Sequence, residues 1–300
     1  MPGDDVLVID TMMGDLSGLT AAFLVPAARP ALVETGPGRS ARHVLDALRD
    51  AGLGPGDLAY LVVTHVHLDH AGAAGALAEA FPSATVLVHP SGARHLADPT
   101  RLVASAARVH GPLMDTAYGT MAPVPAQRIT ALGDGDRIDL GDRTLAVRHT
   151  PGHANHHLSV LDEGSGTLYP GDAAGLRVAG MRVPRPATPP PDFDRDLAHD
   201  SLRKLRALAA ERLMLTHFGA VDDPDDWLVR VADELDRWCD VAVRSAHADD
   251  PVALERELFA VLAARDGLAE VDPARFGIFG GFAANAAGLS RWAMRGPVPR

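Results

Sequence analysis

Between Thr64 and Gly72 the chain reads Thr-His-Val-His-Leu-Asp-His-Ala-Gly, so His65, His67, Asp69 and His70 place four metal-capable side chains within six residues. The apolar run Tyr60 to Val63 precedes them directly. His65 and His67 are two apart in extended chain, so both imidazoles project to one side and can converge on one ion. Asp69 and His70 follow as the chain turns into a helix, and their different direction suits a second ion nearby. A single histidine is more often a surface or satisfied core residue. Four such groups at the carboxyl end of a strand, where open α/β sheets place ligands, favour a metal site instead.

Three further candidates each follow a β-like run: His153 in Thr-Pro-Gly-His, Asp172 in Pro-Gly-Asp, and His217 in Thr-His-Phe-Gly. Taken singly, a Gly-Asp is usually a turn and a histidine after a strand is often a capping donor. Taken together, they complete a constellation. His65, His67 and His153 offer one ion three nitrogens, Asp69, His70 and His217 serve a second, and the Asp172 carboxylate can bridge both. Such sites keep a position open for water or substrate.

The elements that must position these groups read as one α/β unit. Short β-rich runs at Val6 to Ile9, Thr20 to Val25 and Ala31 to Val33 form a meander, and a helix fits Ser40 to Ala51. Strand Tyr60 to Val63, helix Gly72 to Ala80, strand Thr85 to Val88 and helix Gly92 to Leu96 then alternate, a pattern in which helices cover a sheet face. A less regular segment containing Tyr118 follows. Strands are expected again at Arg137 to Leu140, Thr144 to His149, Ser159 to Leu161, Thr167 to Tyr169 and Arg212 to Leu215, with a helix over Arg195 to Ala210. From Pro224 onward the pattern is helical: Asp225 to Ala246, Val252 to Asp266 and Phe279 to Met294. These assignments divide the chain into a catalytic unit, residues 1–223, and a helical appendage, residues 224–300, packed on it.

The seven residues resemble the metallo-β-lactamase superfamily, whose His-x-His-x-Asp-His motif is matched by His65, His67, Asp69 and His70 and whose later ligands are matched by His153, Asp172 and His217. The resemblance covers roughly Val6 to Gly219. It implies an α/β fold of the αββα type: two mixed sheets face to face, helices outside, metals at one edge of the strands. The Thr-Pro-Gly-His and Thr-His-Phe-Gly phrases are similar to the glyoxalase II and general metallo-hydrolase branch. The implied cofactors are two divalent ions, zinc by default, with manganese or iron as alternatives. The implied activity is hydrolysis of an ester, thioester or lactone of a small molecule, with Asp69 holding the second ion, orienting the attacking water and passing a proton to the leaving group. The competing readings are a mono-iron dioxygenase acting on persulfides and a phosphoesterase on the same core.

Composition narrows the partners. Lys plus Arg number 28 against 39 Asp plus Glu, a net charge of −11, which repels nucleic-acid backbones, and no basic stripe offsets it. No apolar stretch approaches the ~20 residues of a membrane span. The acidic start, Met1 to Asp5, lacks the features of a secretory signal, so a cytoplasmic location is expected. One cysteine, Cys239, excludes an internal disulfide. His157 is a candidate support for the ligands, whereas His89, His95 and His110 read as structural and Tyr118 as a partly buried aromatic. The Pro-rich run Pro184 to Pro191 is expected to form a stiff pocket wall. Phe276, Ile278, Phe279, Phe282, Leu289 and Trp292 make the tail too apolar to lie in water, so it either closes the sandwich of its own chain or forms a homodimer contact or pocket lid.

Overall fold

The computed structural model describes residues 6–179, 181, 183–245, 249–266 and 283–295. Two six-stranded sheets lie face to face. The first runs in chain order: β1 (Leu7–Asp10), β2 (Ala21–Val25), β3 (Ala31–Val33), β4 (Tyr60–Val62), β5 (Thr85–Val88) and β6 (Ile129–Ala131). The second comprises β7 (Arg137–Asp139), β8 (Thr144–His149), β9 (Leu158–Asp162), β10 (Thr167–Tyr169), β11 (Arg212–Leu215) and β12 (Gly219–Val221), neighbours in that order.

Period-two alternation sorts side chains between three layers of core. Along β2, Ala21, Phe23 and Val25 face the second sheet, where they meet Leu145, Val147, Leu158, Val160 and Tyr169. Ala22 and Leu24 face outward, under α1 (Ala41–Asp50) and α3 (Ala74–Ala80), which bury Val44, Leu48 and Leu77 there. On the far side of the second sheet, Leu168, Leu213 and Leu215 share a core with α6 (Arg195–Ala207) and α7 (Pro224–Arg244) through Leu202, Leu205, Trp227, Leu228, Val231, Leu235 and Trp238. The helices after residue 223 therefore supply the outer layer over that sheet. They continue as α8 (Pro251–Asp266) and α9 (Ala283–Arg295), which add Leu254, Leu258, Ala286 and Leu289 to the same core.

Strand direction decides where the site forms. β3, β4 and β5 are parallel, so their carboxyl ends share one edge of the first sheet. β8 and β10 both run antiparallel to β9, and β10 is parallel to β11, so these three also end together. Backbone bonds tie the two edges: Leu158 N–H donates to Thr64 O (2.7 Å), and Ala21 N–H donates to Thr216 O (2.9 Å).

Three elements were not legible in the sequence. The irregular segment contains α5 (Thr100–His110), which has no fully buried residue and rests on the core only through half-buried Leu102, Val103 and Ala106, too weak a stripe to read. β6 and β12 are three residues each. The expected helix over Gly72 to Ala80 is α3, which begins at Ala74, and a separate short helix, α2 (Leu68–Ala71), precedes it. The aromatic tail positions Phe276, Ile278, Phe279 and Phe282 lie outside the described residues. Among the described residues no helix is long and apolar enough to cross a membrane.

Candidate metal centre

The residues singled out in sequence meet at the shared edge as two clusters. In the first, His65 Nε2 and His67 Nδ1 are 2.9 Å apart, and His153 Nε2 lies 3.1 Å from the former and 2.9 Å from the latter. In the second, His70 Nε2 and His217 Nε2 are 3.2 Å apart, with Asp69 Oδ2 at 3.8 Å and 3.5 Å respectively. Asp172 stands between them. Its Oδ2 is 3.4 Å from His153 Nε2, while its Oδ1 is 3.2 Å from His70 Nε2 and 3.5 Å from His217 Nε2.

The far side of each ring fixes its tautomer. Thr64 Oγ1–H donates to Glu34 Oε1 at 2.6 Å, so Thr64 Oγ1 accepts from His65 Nδ1–H at 2.9 Å and leaves a lone pair on His65 Nε2. His153 Nδ1–H donates to Ala187 O (3.1 Å), His217 Nδ1–H to Leu19 O (2.9 Å) and His70 Nδ1–H to Glu34 Oε1 (3.0 Å). In each cluster, then, two Nε2 lone pairs point at each other across 3.1–3.2 Å. Such an arrangement is repulsive unless a cation or proton sits between. Asp172 Oδ1 is buried without a hydrogen-bond partner, which has the same meaning. The donor set, neutral imidazoles and carboxylates, suits divalent ions of the zinc type.

Electrostatics agree. Burial holds the His65, His67 and His153 pKa values below the ordinary range, keeping those rings neutral and able to ligate. Burial opposes the charge on His70 as well, but the carboxylates of Asp172, Glu34 and Asp69 outweigh it and raise that pKa. Asp69 and Asp172 pay desolvation too, yet His70 and His217 hold both carboxyl groups well below the usual carboxylate range.

Two supports carry the clustered side chains. Glu34, which the sequence reading missed, is fully buried with φ +67° and accepts from Thr64, His70 and, at 3.3 Å, Thr216 Oγ1. One carboxylate thus orients a ring in each cluster and grips the residue beside His217. The available signal was an acidic residue ending the apolar run Leu32-Val33. His157 acts as expected of a support: its Nε2 accepts from Asp172 N–H (3.1 Å), so its Nδ1–H donates to Thr150 Oγ1 (2.9 Å). Gly171 has φ +53°, and a Cβ there would fall 2.6 Å from His157 Nε2 and 2.7 Å from Thr64 Oγ1, so Pro-Gly-Asp requires its glycine.

Above the clusters lies a cavity of about 160 Å³. Its floor is His67, Asp69, His153, Asp172 and His217. One wall is α5 with Leu102, Ala106 and Val109, continued by Tyr118, whose hydroxyl lies 3.3 Å from His110 Nδ1. His110, read from sequence as structural, therefore lines the cavity. The lining also contains Pro189, Pro190 and Pro191, as expected of the Pro-rich run, together with Ala284 and Asn285 of α9. His89 and His149 stack with centroids 4.6 Å apart, away from the ligands' shared space.

The chain is 31% identical over 167 residues to a metallo-beta-lactamase fold-containing protein of Sulfurisphaera tokodaii, covering 55% of this chain and 62% of that protein. It is 31% identical over 154 residues to the hydroxyacylglutathione hydrolase of Aeromonas hydrophila (51% and 45% covered) and 34% identical over 143 residues to the acyl-coenzyme A thioesterase MBLAC2 of Gallus gallus (45% and 50%). The chain thus matches roughly half the length of these curated relatives. In fold it is similar to an archaeal metallo-beta-lactamase superfamily protein from Sulfolobus tokodaii, with a TM-score of 0.72, 22% identity and coverage of 96% and 99%. A family model for the metallo-beta-lactamase superfamily matches residues 3–217, the span that carries all seven clustered residues, and the chain belongs to that superfamily.

Proposed function

We propose that the protein is a dinuclear metallo-hydrolase that cleaves an ester, thioester or lactone bond of a small molecule. The observation that carries this reading is the division of the Asp172 carboxylate, Oδ2 toward the His153 cluster and Oδ1 toward His70 and His217. His65, His67 and His153 would hold one divalent ion, Asp69, His70 and His217 the other, with zinc the default for these ligands. When bound, the ions supply Lewis acidity and an activated water. Asp69, only partly buried at the cavity floor, is the one ligand carboxylate with room to take a proton from water and deliver it to the leaving group. Leu102, Ala106, Val109 and the prolines would seat an apolar acyl part and exclude bulk water. The names of the hydroxyacylglutathione hydrolase and acyl-coenzyme A thioesterase relatives support an acyl substrate. Residues 1–223 would form the catalytic unit and the later helices its cover and cavity wall.

The test is turnover of a panel of thioesters, lactones, phosphoesters and β-lactams by protein of measured metal content. Two zinc ions per chain with acyl-ester or thioester turnover is the expected result. One iron per chain with oxygen uptake, or phosphoester turnover alone, would replace the reading.

A further inference from the structure

Asn285, on the first turn of α9, is buried, and its side chain enters the cavity wall. Its orientation is settled by its partner. Thr188 N–H can only donate, and it lies 2.6 Å from Asn285 Oδ1; Thr188 Oγ1–H adds a second contact to Oδ1 at 3.0 Å. The amide nitrogen must therefore occupy the other branch. Nδ2 makes no hydrogen bond among the described residues and is not sealed from solvent, so it opens onto the cavity that Asn285 lines. Gly288, one turn further along, permits the close approach: a Cβ there would sit 1.9 Å from Thr188 O.

This clamp is one residue from the metal ligands. Ala187 O accepts from His153 Nδ1, and Thr188 is the next residue, so a single backbone segment spans from the His153 ring to Asn285. Arg185 lines the same cavity and stays cationic at neutral pH, burial pulling its pKa down only to about 10. The wall of prolines thus carries an amide donor beside a cationic side chain, on which the Glu255 carboxylate also acts. A cavity near 150 Å³ holds about six heavy atoms.

We propose that the Asn285 carboxamide nitrogen is a substrate-binding donor which the C-terminal helix inserts beside His153, selecting acyl groups that carry a second oxygen acceptor such as a carboxylate. The proposal rests on the acyl-hydrolase reading and sharpens it to a substrate class. A substrate without the acceptor leaves the amide N–H groups unpaired in a half-dry wall, the circumstance in which a hydrogen-bonding site discriminates most.

The experiment compares the thioesters of N-acetylcysteamine with succinate and with butyrate, equal in carbon count and different in the distal carboxylate. Wild-type, metal-quantified protein is expected to favour the succinyl thioester in kcat/KM. Asn285→Asp keeps an oxygen for Thr188 but loses both donors and adds a repelling charge, and its succinyl-to-butyryl ratio should fall roughly tenfold to hundredfold. Asn285→Ser, which is too short to reach the cavity, should lower the ratio in the same direction if the Asp variant folds poorly. An unchanged ratio in a variant with wild-type thermal stability, or no succinyl preference in the wild type, overturns the proposal. Calorimetry with free succinate and butyrate separates the two readings. If neither thioester turns over but succinate is still preferred and Asn285→Asp abolishes that preference, the hydrolase reading fails and the donor assignment stands; with no preference in binding, both fail.

Discussion

At the floor of the cavity every clustered imidazole but His67 donates from its far nitrogen to a named oxygen: Thr64 Oγ1, Glu34 Oε1, Ala187 O or Leu19 O. On the walls, most lining side chains are alkyl groups and prolines that make no directional contact at all, with Ser105, Arg185, Tyr118–His110 and Asn285–Thr188 as the polar exceptions. The floor comes from the ends of four strands, β4, β8, β10 and β11, within one sandwich edge. The walls come from a shallow helix, a proline run and a helix more than 200 residues from the first histidine. Chemistry that tolerates little displacement is built from hydrogen-bonded strand ends, and selection among substrates from elements whose replacement leaves those ends in place.

If that division is real, floor substitutions cost metal or turnover for every substrate, and wall substitutions change preference at constant metal content. The largest effect should be that of Asp172→Ala, which removes the carboxylate shared by both clusters. Metal content, read by elemental analysis, and turnover should fall together and by more than the ~10–100-fold typical of an outer partner. Full occupancy in this variant would end the bridging assignment. Asp69→Asn comes next: the fold and at least one ion should survive while turnover is lost, because the amide neither carries the charge nor accepts the proton. Near-normal kcat would show that Asp69 has no proton to move.

Glu34→Gln tests the layer behind the ligands. The amide keeps an acceptor for Thr64 or His70 but not the charge, so metal affinity measured against a chromophoric chelator should weaken about 10–100-fold with substrate preference unchanged. Unaltered affinity would reduce Glu34 to a structural residue. Tyr118→Phe probes the wall and should shift kcat/KM by about fivefold, the worth of one hydrogen bond, with no loss of metal. Metal loss in that variant would break the distinction between floor and wall.

The smallest effect concerns the metal-stripped protein. Burial depresses the pKa values of His65, His67, His153 and His157, and that of His156 to about 3, whereas His70 is raised by Asp172, Glu34 and Asp69 against its own burial. A depressed histidine binds its proton in the unfolded chain first, so its stability is intact above the unfolded pKa of about 6.5 and lost as pH falls below it. His70 acts with the opposite sign, stabilising the fold at low pH. Five against one, the Tm of the chelated protein should drop between pH 7 and pH 5. A flat or rising Tm over that window would mean that the metal-free floor opens to water.

Much of this molecule could be read one residue at a time. His65 and His67 converge because extended chain alternates, and β5, β8, β10 and β11 were legible to their end residues because apolar runs bounded by glycine, proline or charge are local signals. All seven clustered residues follow strands, and that too is a local pattern. Three things depended on the tertiary structure. Glu34 touches residues 30, 36 and 182 positions away, a partnership no window of sequence contains. α5 is a helix whose weak stripe acquires meaning only when the cavity lies beneath it. The orientation of Asn285 was decided by Thr188, 97 residues earlier, because a carboxamide has no preferred direction until a backbone N–H claims its oxygen. Spacing along the chain selects which atoms can ligate. Only the packing of distant strand ends and helices decides which lone pairs face one another and what lies above them.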